Sequence, residues 1–374
     1  MKVSCLQENF IKGLSIVEHS TGKESGLPIL SSILIKTEHN LIQLSATNLE
    51  IGITCVIRGK IEKEGSVAVN GKLLNDFINL LPKEKIDIDV DENFNLKITC
   101  KNFSTIIHGV NPEDFPIIPK IKKKEIYTTK LQYFKKALQN TVYTAIGNET
   151  RPELNGLLFL YKKGQKELCV VGTNAIRLAE VKLSLHTPAT QDNSCIIPLK
   201  TIQELLRILP NEYDGNIEWF LNENQIVFLY EEVEVISKQI QGEYPDYTQI
   251  IPKTFSSKIT IPLDEYKKAV KAASIFSKTN LYDVTCTFRV LNTGGAELEV
   301  ASKNTSLGEN NVVFPVELQG EENTLILNYK YLLDGLNIIE DSHIIFNCID
   351  TLNPCVITPL HQQGFIYLLM PIRE

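Results

Sequence analysis

Apolar residues recur at helical spacing in six stretches of the chain, and strand-like apolar runs fill much of the remainder. Leu6, Phe10, Leu14 and Val17 predict a helix over 7–22. Leu73, Leu74, Phe77, Ile78 and Leu81 predict a second over about 70–83, with Asn70 as its N-cap and Pro82 as its stop. Leu131, Phe134, Leu138, Val142 and Ala145 mark a third over about 130–147. A fourth spans 198–210, with Pro198 near its start. The fifth, about 262–279, carries Tyr266, Ala269, Val270, Ala273 and Phe276 on one face, and the sixth covers about 328–339. Strand pairs are expected around Ile33 and Ile35 with a turn at Glu38-His39-Asn40, and at 86–90 with 95–100. Others span 156–171, turning at Lys162-Lys163-Gly164, and flank Asn292-Thr293-Gly294-Gly295. The stretch 101–107 reads as an edge strand, and the last strand is Phe365 to Leu369.

The pattern repeats three times. Paired helices start 63 (70 − 7), 68 (198 − 130) and 66 (328 − 262) residues apart. A short polar motif recurs in step: Ser45-Ala46-Thr47-Asn48-Leu49, then Gly172-Thr173-Asn174-Ala175-Ile176-Arg177, then Ala301-Ser302-Lys303-Asn304-Thr305. Its copies are 126 (174 − 48) and 130 (304 − 174) residues apart. Solenoid repeats have periods of roughly 20–50 residues, so each copy here is a whole domain. The fold class is α+β: two helices on a largely antiparallel sheet, three times over. Asp114-Phe115-Pro116-Ile117-Ile118-Pro119, followed by a basic run to Lys124, closes the first domain. Tyr244-Pro245-Asp246-Tyr247-Thr248-Gln249-Ile250-Ile251-Pro252 echoes it. The expected domains are therefore 1–124, 125–252 and 253–374.

Hydrophobic content of 43% and charged content of 22% are ordinary for a soluble globular protein. No run approaches the ~18–20 apolar residues of a membrane helix, and the N-terminus has no signal-peptide pattern, so a cytoplasmic location is expected. Cys5, Cys55, Cys100, Cys169, Cys195, Cys286, Cys348 and Cys355 include no C-x-x-C pair. Reduced, buried thiols fit them better than a disulfide framework or a metal site.

A net charge of −7 argues against an indiscriminate nucleic-acid binder but leaves room for one positive surface. The six predicted helices hold 13 Lys and Arg against 7 Asp and Glu, so they carry +6 and the rest of the chain −13. Lys135, Lys136, Lys267, Lys271 and Lys278 lie opposite the apolar stripes, and Lys200 and Arg207 share a face. The first helix is the exception, because Glu8 and Glu18 outnumber Lys12. Lysine suits any solvated helix face, but a one-sided basic surface on an acidic protein also suits phosphates, with no sequence preference.

Catalytic groups are scarce. The six histidines are scattered, and there is no H-E-x-x-H, G-x-S-x-G or P-loop. Asp87-Ile88-Asp89 could suggest a metal site, but its alternation fits an exposed strand face. No catalytic residue, metal or cofactor is expected. An enzyme acting on nucleic acid and a repeat scaffold that binds proteins only are the competing classes.

Leu27-Pro28-Ile29-Leu30, Thr47-Asn48-Leu49-Glu50, Leu154-Asn155-Gly156, Arg177-Leu178-Ala179, Tyr244-Pro245-Asp246-Tyr247 and Met370-Pro371-Ile372-Arg373 occur in a telling order and spacing. With the threefold repeat, they make essentially the whole chain resemble the bacterial DNA polymerase III beta subunit family, the sliding clamps. The resemblance implies three clamp domains and a head-to-tail homodimer closed into a ring, with helices lining the hole and sheets outside. Such a ring encircles double-stranded DNA without sequence preference. It is non-catalytic and tethers the replicative polymerase, as well as binding the clamp loader and repair proteins, through short peptide motifs.

The family's partner pocket maps here to Leu154, Thr173, Asn174, Arg177, Leu178, Pro245, Gln249, Ile250, Leu281, Asn328, Tyr331, Leu352, Pro354, Met370, Pro371, Ile372 and Arg373. The residues expected to face DNA are Lys12, Lys23, Lys72, Lys135, Lys136, Lys200, Arg207, Lys267, Lys271 and Lys278. The ring seam is expected where the 101–107 strand, with Phe103, meets Ile275 and Phe276 of the other chain. Two departures stand out. The family usually has Asp-Gly and an aromatic or His where this chain has Asn174, Ala175 and Ile176, so Ala175 predicts a different turn and an altered peptide preference. Lys23 and Glu24 stand where the family often has Arg, which weakens one DNA contact.

Overall fold

Six helices form where the periodicity places them, each ending earlier than the apolar pattern alone suggests. In the computed structural model, which describes residues 1–22, 27–39, 41–119, 121–145, 151–277, 281–292 and 294–373, they are α1 (Gln7–Val17), α2 (Gly71–Leu80), α3 (Leu131–Val142), α4 (Leu199–Ile208), α5 (Leu263–Ser274) and α6 (Tyr329–Ile338). Their ends have local causes. Asn70 caps α2 by accepting from the Leu73 N–H at 2.9 Å. Leu81 is extended (ψ 148°) because Pro82 follows it, so α2 stops at Leu80. α1 tightens into the 3-10 turn Glu18–Ser20. Asp264 and Glu265 in the first turn of α5 and Lys271 in its last turn complement the helix dipole.

The chain forms two compact units, Met1–Gln132 with Gln203–Gln239 and Tyr133–Ile202 with Ile240–Glu374. The first unit has two antiparallel sheets. The smaller runs Lys60–Lys63, Lys2–Leu6, Lys85–Val90, Asn95–Cys100, Phe103–His108, so the expected edge strand is indeed an edge. The larger runs Ile126–Lys130, Asn216–Leu221, Gln225–Tyr230, Val233–Lys238, Ile51–Arg58, Leu41–Thr47, Ser32–Glu38, Gly65–Asn70. α1 packs on this sheet through Phe10, Leu14 and Val17, all fully buried. Gly13 permits the close approach, since a Cβ there would lie 2.9 Å from the Leu44 and Ile57 side chains.

The second unit holds one twelve-stranded sheet. Within it Gly156–Tyr161, Glu167–Thr173 and Arg177–Ser184 lead into Phe365–Leu369 and on through Cys355–Pro359 and His343–Cys348. α5 and α6 pack over a core that includes Tyr266, Phe288, Phe346 and Tyr367.

Sheets therefore continue from one repeat into another: Val233–Lys238 pairs with Ile51–Arg58, and Phe365–Leu369 pairs with Arg177–Ser184. The sequence pattern marks these strands but not their partners. An uncovered edge demands pairing, and nothing local to the strand says with what. Asp87 and Asp89 are exposed while Ile86 and Ile88 are buried, the alternation of a strand face. None of the eight cysteines is in a disulfide; all are buried except Cys169, which is half-buried. Among the described residues no helix is long and apolar enough to cross a membrane.

Candidate functional site

The recurring Thr-Asn pair is a turn device. Thr173 Oγ1 donates to the Arg177 carbonyl at 2.7 Å and accepts from the Ala175 N–H at 3.1 Å. Asn174 Oδ1 accepts from the Ile176 and Arg177 N–H groups, both at 3.1 Å. In the first repeat Thr47 Oγ1 donates to the Ile51 carbonyl at 2.9 Å and accepts from Leu49 N–H at 3.0 Å. Asn48 Oδ1 there accepts from Glu50 N–H at 3.0 Å and Ile51 N–H at 2.8 Å. In the third repeat Asn304 Oδ1 accepts from Ser306 and Leu307 N–H groups at 3.0 and 3.3 Å. Short polar side chains close such turns by bonding backbone N–H groups two and three residues on.

The hydroxyl of Thr173 and the amide oxygen of Asn174 serve their own turn. Ala175 takes φ +72°, as Leu49 does at the equivalent place in the first repeat, and the turn's hydrogen bonds hold it there.

Arg177 follows the turn and is only 5% exposed. Nη1 donates to Asp334 Oδ2 at 2.5 Å, and Nη2 donates to the Tyr143 carbonyl at 2.6 Å. The guanidinium lies 4.2 Å from the Tyr331 ring centroid and 5.4 Å from that of Tyr143. Burial pushes the hydroxyls of Tyr143 and Tyr367 well above the usual tyrosine range. Tyr367 donates to the Tyr331 carbonyl at 2.7 Å. Arg177 thus braces the site from within. Asn328 is likewise engaged: its Oδ1 caps α6, accepting from Lys330 and Tyr331 N–H groups at 3.0 and 3.2 Å.

The C-terminal tail is stitched over this framework. Leu369 pairs opposite Arg177, Met370 N–H donates to the Ile176 carbonyl at 2.9 Å, and Ile372 N–H donates to the Ile326 carbonyl at 2.7 Å. Pro371 is buried, Met370 and Ile372 are half-buried and Arg373 is exposed. Leu154, Leu178 and Pro354 are buried, and Leu178 clusters with Leu158, Val171, Ile196, Tyr247, Val356 and Leu368. Ile176, Ile250, Leu281 and Leu352 leave 47, 45, 48 and 58% of their surface in water. Pro245 and Gln249 are exposed, and Gln249 donates to Asp246 at 2.8 Å. The 3-10 turn Tyr247–Ile250 is anchored by Tyr247, whose hydroxyl donates to Glu180 Oε2 at 2.6 Å. All seventeen residues mapped to the partner pocket fall in the second unit.

The basic residues divide more sharply. Lys72, Lys200 and Lys271 are exposed. Lys12 is exposed beside Glu231, 3.7 Å away, and Lys136 is paired with Glu340. Arg207 is exposed but engaged within its own unit. It donates to the Ser15 and Ile16 carbonyls at 2.7 and 2.8 Å, satisfying the end of α1, and it bonds Glu204. Lys135 is buried and Lys267 half-buried, and loss of hydration lowers both amines below the usual lysine range. Each lies four residues after a buried Leu (131, 263) and three before another core residue (138, 270), hence on the flank of the apolar stripe. Lys23 and Lys278 lie outside the described residues.

The repeat register identifies a residue that helical spacing missed. Lys12, Lys136 and Lys268 occupy the same position in α1, α3 and α5, two residues after Phe10, Phe134 and Tyr266, and Lys268 is exposed. At the expected seam Phe103 is 46% and Ile275 69% exposed, while Phe276 is half-buried.

The DNA polymerase III beta subunit family matches the chain in three consecutive blocks: its N-terminal domain at residues 1–119, its central domain at 128–246 and its C-terminal domain at 248–373. The beta sliding clamp of Staphylococcus epidermidis is 26% identical over 382 aligned residues, covering 100% of this chain and 99% of that protein. The crystal structure of the Bacillus subtilis DNA polymerase sliding clamp aligns with TM-score 0.94 at 22% identity, over 100% of this chain and 99% of that one. The Bartonella birtlesii sliding clamp bound to griselimycin aligns with TM-score 0.91 at 27% identity, over 100% of both chains.

Proposed function

Since this chain belongs to the DNA polymerase III beta subunit family, we propose that it is a DNA sliding clamp, a non-catalytic processivity subunit that encircles duplex DNA and tethers the replicative polymerase. The observation that carries this reading is the threefold repeat, matched by the family from end to end. An enzyme or a proteins-only scaffold is not favoured beside it. The domains are 1–124, 125–252 and 253–374, and work on DNA places the protein in the cytoplasm.

The ring closes as a head-to-tail homodimer. Support comes from two open strand edges. Phe103–His108 pairs on one side only among the described residues and exposes Phe103 and Ile106 (46 and 59%). The strand Gly308–Gly320 uses its residues 308–316 to pair with Ala296–Asn304 and only 317–320 to pair with Ser257–Pro262, and it exposes Val313 (48%), with Leu307 exposed in the turn before it (63%). Joining the edge on one chain to that on its partner removes both. Exposed helix lysines attract phosphates without reading sequence, and weak contacts let a topologically retained ring slide.

Partner peptides of the polymerase, the clamp loader and repair proteins dock on the apolar rim around Ile176, Ile250, Leu352 and Met370. Burying two or three large side chains offers about 1.5–3 kcal/mol each. Ordering a flexible peptide offsets much of that, so the expected affinity is micromolar, which suits partners that exchange. Native mass spectrometry tests the assembly: a species of twice 42.2 kDa is expected, and a monomer at every concentration would rule the ring out.

A further inference from the structure

Each unit contains the same corner once. In one, Met370 N–H donates to the Ile176 carbonyl at 2.9 Å with Leu369 opposite Arg177; in the other, Lys238 N–H donates to the Glu50 carbonyl at 3.0 Å with Ser237 opposite Ile51. The turns that lead into them share their Thr-Asn bonding and the φ of +72° at Ala175 and Leu49. The segments packed over the corners correspond too. Phe115 and Tyr247 are buried at 5 and 6% exposure, Ile118 and Ile251 pack on apolar clusters, and Ile117 and Ile250 face water. The first-repeat corner encloses a recess of about 190 Å³, lined by Leu49, Glu50, Ile117, Ile118 and Lys238 among others.

The backbone is duplicated, but the side chains on the two facing strand ends are not. Ile176 and Met370 stand in one corner, Glu50 and Lys238 in the other. We propose that this exchange decides which corner accepts a partner peptide: Glu50 and Lys238 keep apolar peptides out of the first-repeat corner, and Ile176 and Met370 admit them to the other. The proposal rests on the reading of the Ile176–Met370 corner as the peptide site. An apolar side chain laid against Ile176 and Met370 removes three apolar surfaces from water together. Laid against Glu50 and Lys238, it strips water from a carboxylate and an ammonium and returns no hydrogen bond to either. Discrimination between related sites is a difference of affinities, and stripping water from charged groups with no new hydrogen bond in return is an effective source of it.

Isothermal titration with a capped, uncharged octapeptide bearing two leucines and one phenylalanine tests this. The wild type should bind one peptide per chain. Glu50→Ile with Lys238→Met should bind two, the second within tenfold of the first, and Ile176→Glu with Met370→Lys should weaken binding at least tenfold. Combining all four substitutions should restore one site per chain. Glu50, Ile176 and Lys238 are exposed and Met370 half-buried, so thermal unfolding should show each variant folded. One site per chain in both the wild type and the Glu50/Lys238 variant would overturn the proposal and leave the peptide site standing. Two sites in the wild type would also overturn it. No binding to the wild type would remove the peptide-site reading and the proposal together.

Discussion

Ala175 and Leu49, 126 residues apart (175 − 49), hold the same φ of +72° in turns with the same four side-chain hydrogen bonds. A left-handed conformation costs a residue with a Cβ about 1–2 kcal/mol. Ala175→Gly should therefore stabilise the protein by about 1 kcal/mol, less the extra freedom glycine gives the unfolded chain. The midpoint of urea unfolding should rise at unchanged slope. A lower midpoint would mean that the turn is not strained at Ala175.

The Arg177–Asp334 pair sets the rigidity of the same corner. Asp334 is about half exposed while Arg177 is buried, so removing the carboxylate leaves a cation with less compensation than before. Asp334→Ala should cost about 2–3 kcal/mol, as expected for a hydrogen bond to a charged group, and Asp334→Asn less. Chemical denaturation checks both, and an effect under 0.5 kcal/mol, roughly that of an ordinary surface change, would show the brace to be unimportant.

Lys12, Lys136 and Lys268 share one register position, exposed at 12 and 268 and half-buried at 136, while the neighbouring Lys135 is buried. Replacing Lys12, Lys136 and Lys268 by Glu should leave folding intact and weaken DNA association. The slope of log affinity against log salt should fall by about 1 for each lysine–phosphate pairing removed. Lys135→Glu should instead lower the unfolding temperature, because position 135 is buried. An unchanged salt slope in the triple variant would remove these faces from the DNA surface.

Asp341 offers a pH test. The His361 side chain, and then the His361, His343 and Ser342 backbone N–H groups, hold its carboxyl well below the usual carboxylate range. A carboxyl depressed by folding contributes stability above its unfolded value of roughly 4 and loses that contribution as pH falls toward its folded value. The gap in unfolding temperature between wild type and Asp341→Ala should be constant from about pH 8 to 5 and close below about 4. A gap that widened on acidification would reverse the assigned direction.

Much of this architecture is legible in the chain. Phe10, Phe134 and Tyr266 recur on helical stripes, Asn70 caps its helix and the Thr-Asn motif announces the repeat. What the pattern hides is tertiary. Whether Lys135 meets water depends on how far the apolar face of α3 is wrapped. Which groups Arg207 bonds depends on the end of α1, nearly two hundred residues away in sequence (207 − 15 = 192). The tail is tied down by bonds from Met370 and Ile372 to Ile176 and Ile326, partners that no local spacing reveals. Deleting 370–374 therefore removes structure as well as part of the proposed peptide site. Single substitutions such as Met370→Lys are the cleaner probe.

Topological retention on DNA tests the central claim most directly. Labelled protein would be loaded onto nicked circular duplex by the host's clamp loader with ATP, separated from free protein by gel filtration, and the circle then cut once by a restriction enzyme. The protein should stay with intact circles in salt that strips ordinary DNA binders and be lost within minutes of linearisation. Equal retention on circular and linear DNA, or none on either, would contradict a ring that encircles the duplex and slides.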